Sequence, residues 1–322
     1  MRTIVARLLV VFAPLAFCVT AGAEQYPNRP VKLVVAYAPG GTPDVIARVV
    51  AQRLSKAVGQ QFIVENKPGA GGLVANQAVA KSPPDGYTLL VADIGQLAVS
   101  QYLFPNPGFD TLKDFAPISL VAITPLFIAV NPDLKITTFK DFVAYAKANP
   151  GKLSYGSAGI GSIHQLAMEM LKADLGLDIR HVPYKGSGQS VPAFMSGEVP
   201  VVAGALPALT PAIKANRANL LAVTSLKSFS KMPKVPPVSE FINGYDYPSE
   251  VGFLAPAGTP KEIIAKLNNE INKAIKEPEI IERMEQLGSD PLGTTPEGYA
   301  ENLKANLVKY QKAIKISGAK AE

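Results

Sequence analysis

The chain has 322 residues, about half of them hydrophobic, with two histidines, one cysteine, no tryptophan and a formal charge of +6. That length suits two domains of about 150 residues, each with its own core. A single cysteine excludes a disulfide framework and a cysteine-based zinc site, and the lack of any run of five like charges argues against a nucleic-acid surface.

The N-terminus reads as a processing segment. Arg2 and Arg7 precede an apolar run over 8–19, and Ala21-Gly22-Ala23 is an A-x-A cleavage signal. The run is too short to span a bilayer and Pro14 interrupts it. The rival reading, a lipid anchor on Cys18, needs a small residue where Phe17 stands. Cleavage after Ala23 removes the only cysteine and lowers the charge from +6 to +4. No later apolar run reaches the length of a membrane span.

Strand and helix patterns then alternate. The run 31–36 (VKLVVA) reads as a buried strand. Positions 45, 46, 49, 50, 54 and 58 are apolar at helical spacing. Strands are predicted over 62–64, 88–92, 126–130, 153–155, 179–182, 219–223 and 251–254. Helices are predicted over 96–103, 139–148, 163–175, 193–196, 209–215 and 261–275. Such alternation predicts parallel sheets.

Two glycine-rich loops sit at matching places. Gly40-Gly41-Thr42-Pro43 follows the first strand, with Thr42 as the predicted N-cap and Asp44 in the first helical turn. Ser157-Ala158-Gly159-Ile160-Gly161-Ser162 follows the strand at 153–155, with Ser162 as the predicted N-cap. Free amides and the positive end of a helix suit a carboxylate; a tight strand-to-helix turn explains either loop alone. The spacing fits no nucleotide motif. Tyr155 stands where a nucleophile elbow needs glycine, and His164 beside Ser162 lacks an orienting carboxylate. His164 reads as a polar cleft lining or as a surface or capping residue; His181 reads as structural. Tyr37 and Tyr184 end strands beside the loops, either to pack on a ligand or to cap the core. Asp93, after the strand at 88–92, is a further candidate for the cleft.

Six motifs occur in order: Pro39-Gly40-Gly41-x-x-Asp44-x-x-Ala47-Arg48, Glu65-Asn66-Lys67-Pro68-Gly69-Ala70-Gly71-Gly72, Pro84-Asp85-Gly86-Tyr87-Thr88-Leu89-Leu90, Tyr155-Gly156-Ser157-x-Gly159-x-Gly161-Ser162, His181-Val182-Pro183-Tyr184-Lys185-Gly186 and Ala255-Pro256-Ala257-Gly258-Thr259-Pro260. Together they resemble the Bug family, the extracytoplasmic receptors of tripartite tricarboxylate transporters, over essentially the whole chain after residue 23.

The resemblance implies an α/β, type II periplasmic binding protein with crossover strands between two lobes. Lobe 1 would comprise 24–125 plus 247–322, and lobe 2 would comprise 126–246. It implies a carboxylate held near Gly41, Thr42 and Pro43 and near Ser157, Ala158, Gly161 and Ser162. It also implies a periplasmic monomer without cofactor or catalytic residues, which delivers its ligand to membrane transporter subunits. A sensory receptor using the same clamshell, or a carboxylate-processing enzyme, are the alternatives. Where the family commonly has Asp after Gly197-Glu198-Val199, this chain has Pro200, and where it often has Asp-Asn, this chain has Gly204-Ala205. Val251 stands where an aromatic is common. Fewer carboxylates and smaller side chains there predict an apolar-bodied ligand, an aromatic carboxylate or a medium-chain dicarboxylate.

Overall fold

The structure is a computed structural model that describes residues 26–321. The segment read as a signal peptide, with Arg2, Arg7, Cys18 and Ala23, lies outside those residues.

The strands are β1 (Val31–Val35), β2 (Phe62–Asn66), β3 (Thr88–Asp93), β4 (Phe115–Thr124), β5 (Leu126–Val130), β6 (Leu153–Ser157), β7 (Ile179–Pro183), β8 (Val201–Ala205), β9 (Asn219–Val223), β10 (Ser249–Pro256) and β11 (Asp290–Pro291). The helices are α1 (Thr42–Val58), α2 (Leu73–Ala80), α3 (Ser100–Leu103), α4 (Phe139–Ala148), α5 (Ile163–Leu175), α6 (Ser187–Ser196), α7 (Leu206–Lys214), α8 (Lys261–Ala274), α9 (Pro278–Gln286) and α10 (Pro296–Ser317). The strands form two sheets, ordered β11-β4-β10-β3-β1-β2 and β7-β6-β8-β5-β9.

Both sheets are mixed, which corrects the expectation of parallel sheets. β1 pairs parallel with β2 and β3, and β6 pairs parallel with β7 and β8. β10 runs antiparallel to β3 and β4, and β5 antiparallel to β8 and β9. The physical reason is the crossing between sheets. The chain leaves the first sheet at β4, enters the second at β5, and returns from β9 to β10. A strand that arrives from the other sheet rather than through a packed helix need not follow the parallel rule of strand–helix–strand units.

Thr224 fastens both crossings. Its amide donates to the Leu126 carbonyl at 2.9 Å, its Oγ1 accepts from the Leu126 amide at 3.1 Å and donates to the Tyr247 carbonyl at 3.0 Å. The two sheets also share one apolar core. The cluster that holds Leu90, Leu120, Ile128 and Tyr155 continues through Leu166 and Met170 of α5 to Leu303, Leu307 and Tyr310 of α10. α10 packs against α5 on one side and β4 on the other. It also holds the start of β10: Lys309 Nζ donates to the Asp246 carbonyl at 2.6 Å, and Tyr310 Oη to the Pro248 carbonyl at 3.3 Å.

Glu250 lies within that grip, 4% exposed, and accepts from Asn306 Nδ2 at 2.8 Å. Burial, opposed by nearby Lys309 and reinforced by Asp246, pushes its carboxyl up to about 7. An acid that binds its proton more tightly when folded is stabilising below its unfolded pKa. That advantage is lost as pH rises from about 4.5 towards 7. Glu250→Gln keeps an acceptor for Asn306 and removes the ionisation. It should leave the melting temperature unchanged at pH 4.5 and raise it at pH 8, with a gain of about 3 kcal/mol at most. Thermal unfolding at the two pH values measures this, and an equal gain at both would contradict the assignment.

Candidate functional site

A cavity of about 690 Å³ lies between the two sheets, and both contribute walls to it. On the side of the second sheet it is built at the start of α5. Ser162 is the N-cap, as predicted: its Oγ accepts from the Gln165 amide at 3.3 Å and donates to the Gly159 carbonyl at 2.7 Å. Gly161 has φ +74° and donates its amide to Gln165 Oε1 at 2.7 Å. Ser157 is fully buried beneath this loop. Its Oγ accepts from the Gly159 amide at 3.1 Å and lies 2.7 Å from His181 Nε2. His181 stacks on Tyr155 with ring centroids 4.9 Å apart, and Tyr155 Oη donates to Glu169 at 2.6 Å. This bracing fixes the loop, and it leaves the amides of Ile163 and His164 without an acceptor among the described residues. The first amides of a helix are a ready anion site.

His164 lines the cavity beside those amides, and its imidazole has no hydrogen-bond partner among the described residues. Burial pushes its imidazole down to about 4, so it is neutral near pH 7. It therefore offers one donor and one acceptor rather than a positive charge.

On the opposite wall Tyr37 Oη donates to Asp93 Oδ2 at 2.7 Å. Ser249 Oγ reaches the same oxygen at 3.3 Å, and the Gln96 amide donates to Oδ1 at 3.0 Å. Burial pushes the Asp93 carboxyl up, while these hydrogen bonds pull it down. The Tyr37 hydroxyl is held well above its ordinary value by burial and by Asp93. Gln96 also donates to the Ala36 carbonyl at 2.8 Å, tying the ends of β1 and β3 together. The floor is a π-helical turn, Gly95–Val99, followed by α3. Val99, Leu103, Phe104, Leu126 and Ile163 make the walls largely apolar.

Of the residues singled out from sequence, Tyr37, Asp93, Ala158, Gly161, Ser162, His164 and Tyr184 line this one cavity. Tyr184 also donates its hydroxyl to Glu198 at 2.8 Å. Gly41, Thr42, Pro43, Ser157, Gly204 and Ala205 are not among the lining residues. Thr42 is not the N-cap of α1; Gly41 is, with no side-chain cap. Asp44 supplies the oxygen instead and accepts from the Gly40 amide at 2.9 Å and from Asn66 at 2.8 Å. Ser157 is turned into the loop's own bracing. Gly204 and Ala205 lie one strand removed: Ala205 pairs with Leu126, which does line the cavity. A Cβ added at Gly204 would stand 3.3 Å from Leu209 Cγ, so Leu209 occupies the room a side chain would need.

Gln96, Ser249, Lys185 and Lys320 also border the cavity, and sequence reasoning passed over them. Gln96 carried a usable signal, since Asp93-x-x-Gln96 has the spacing of a side chain that caps a helical turn. Ser249 carried none, lying 156 residues from the Asp93 it contacts. Among the described residues no group of three His, Cys, Asp or Glu is placed to hold a metal, and no helix is long and apolar enough to cross a membrane.

The sequence profile described as "Tripartite tricarboxylate transporter family receptor" matches residues 46–318. The chain belongs to that family. The receptor is 34% identical over 326 residues to BugT of Bordetella pertussis, a match that covers 98% of each chain. Its fold superposes on R. palustris Rpa4515, solved with adipate, with a TM-score of 0.77 and 33% identity, covering 92% of this chain and 99% of that one. It superposes on MatC from Rhodopseudomonas palustris, solved with bound malate, with a TM-score of 0.72 and 27% identity, covering 90% of this chain and all of the other. The two-lobed α/β periplasmic binding protein fold expected from the motifs is the fold of this receptor.

Proposed function

We propose that the receptor captures a small carboxylate with an apolar body, outside the cytoplasm and after cleavage at Ala23, as a monomer that passes it to membrane subunits of a tripartite transporter. One observation carries the ligand reading. The free amides of Ile163 and His164 open into a cavity whose walls are otherwise mostly apolar, with the Tyr37–Asp93 pair opposite. A carboxylate on the amides completes the α5 N-terminus, and the neutral His164 donates without adding charge. The adipate and malate in the related structures are consistent with this chemistry.

Among the described residues Asp93 is the only acidic one lining the cavity, and its oxygens already accept from Tyr37, Ser249 and Gln96. A ligand ammonium would find no free carboxylate there, which argues against amino acids. A reading of binding without turnover is supported by Ser157, the serine paired with a histidine, which is buried beneath the loop and hydrogen-bonded to Gly159. Thermal-shift measurements on residues 24–322 test the reading. Adipate, terephthalate or benzoate should stabilise the protein. Tight binding of aspartate or glutamate, with none of those three, would defeat it.

A further inference from the structure

We propose that Lys320 and Lys185 form a second, cationic subsite for an anion, which makes the preferred ligand a dicarboxylate rather than a monocarboxylate. The inference rests on the carboxylate reading above and deepens it. Its starting point is the segment that follows α10. Ser317 Oγ donates to the Ile314 carbonyl at 3.0 Å and accepts from the Ala319 amide at 3.2 Å, and Ala319 is buried. These contacts fix the turn out of the helix, and the next residues, Lys320 and Ala321, line the ligand cavity. Lys185 reaches the same cavity from the loop between β7 and α6, where its amide is held by Gln189 Oε1 at 3.1 Å.

Neither ammonium has a carboxylate within ion-pair distance among the described residues. Asp93, the one acidic lining residue among those described, is occupied by three donors. Two like charges facing one cavity repel unless an anion lies between them. The amides of Ile163 and His164 already take one carboxylate. A second negative charge on the same ligand, separated by an apolar spacer that suits Val99, Leu103 and Phe104, neutralises the lysines. A monocarboxylate leaves them unneutralised.

Matched ligands isolate the second charge. Calorimetric titration compares adipate with hexanoate, and terephthalate with 4-methylbenzoate, in the wild type, Lys320→Gln, Lys185→Gln and the double variant. The wild type should bind the dianion of at least one pair about tenfold or more tighter than its monoanion, a difference of about 1.4 kcal/mol. Each single substitution should cut dianion affinity about three- to tenfold and leave monoanion affinity within twofold. The double variant should abolish the preference, and added salt should weaken only dianion binding. Equal binding of both members of each pair overturns the subsite and leaves the carboxylate reading standing. So does a preference that survives in the double variant. Binding of no member of either pair overturns both. Lys320 is exposed, so an unchanged melting temperature will confirm that the variants are folded.

Discussion

Gly252→Ala is expected to lower the stability of the receptor by about 3 kcal/mol, a large effect for one methyl group. Gly252 lies in β10, between its antiparallel partners β3 and β4. A Cβ built there would stand 2.3 Å from the hydroxyl oxygen of Tyr299 and 2.4 Å from its Cζ. Tyr299 is a rigid ring, 2% exposed, packed in the core that both sheets share. It cannot swing aside, so the strand or α10 must shift. Denaturant unfolding followed by circular dichroism reads the loss. A companion substitution, Tyr299→Leu, removes the obstructing ring. The two changes together should cost less than the sum of each alone, because they act on the same contact. Gly188→Ala is the control: nothing lies within 4 Å of its Cβ, its φ is ordinary for an L residue, and it sits in α6. That change should be neutral or slightly stabilising. A Gly252→Ala protein as stable as the wild type would refute the packing argument.

The second large effect is on binding. Gly161→Ala should reduce carboxylate affinity by roughly 30- to 100-fold while the protein stays folded. Two costs coincide at this residue. Its φ of +74° lies in the left-handed region, where a side chain costs about 1–2 kcal/mol. Its Cβ would also stand 2.5 Å from Leu103 Cδ2, a residue of α3 on the other wall. Leu103 has some freedom, so the loop gives way more readily than the core does. A shifted loop carries the amides of Ile163 and His164 off the carboxylate, and about 2–3 kcal/mol lost there is the stated range in the dissociation constant. Titration of the variant with the tightest ligand of the screen provides the number. An affinity within threefold of the wild type would show that the loop tolerates the change.

Much of this architecture was legible in the chain itself, because apolar runs such as VKLVV and the helical spacing of α1 and α5 report local burial directly. The residues that escaped did so for physical reasons. β4 contains Pro117 and Ser119 and reads poorly as a strand, yet a register shift between Phe253 and Leu254 passes over Ile118 and accommodates the proline. β8 ends in Gly204-Ala205, which looked like space for a ligand and is instead space for Leu209. α10 presents Tyr299, Asn306 and Tyr310 among its buried residues, so its apolar stripe is weak in sequence. The helix expected over 96–103 splits into a π-helical turn and α3, a difference that periodicity does not resolve.

The site divides in the same way. Ser162, Gly161 and His164 follow from local chemistry at a helix start. The wall opposite is assembled by topology. Ser249 arrives on a strand that returns from the second sheet, and Lys320 from the far end of the chain, so no window of sequence places them together. Thr42 shows the limit of capping rules: a good N-cap residue stood in the right place, but Asp44 supplied the oxygen from inside the first turn.

The sharing of one core by α5 and α10 bears on how the protein is made. Synthesis runs from the first residue to the last, so α5 exists for well over a hundred residues before the helix that covers it. Once β9 is made the second sheet has all its strands but still lacks the cover over Leu166 and Met170, and the first lacks the ring that fills the space above Gly252. Neither half can reach its final packing early. The order of the chain thus makes the final packing of the shared core wait for the last helix.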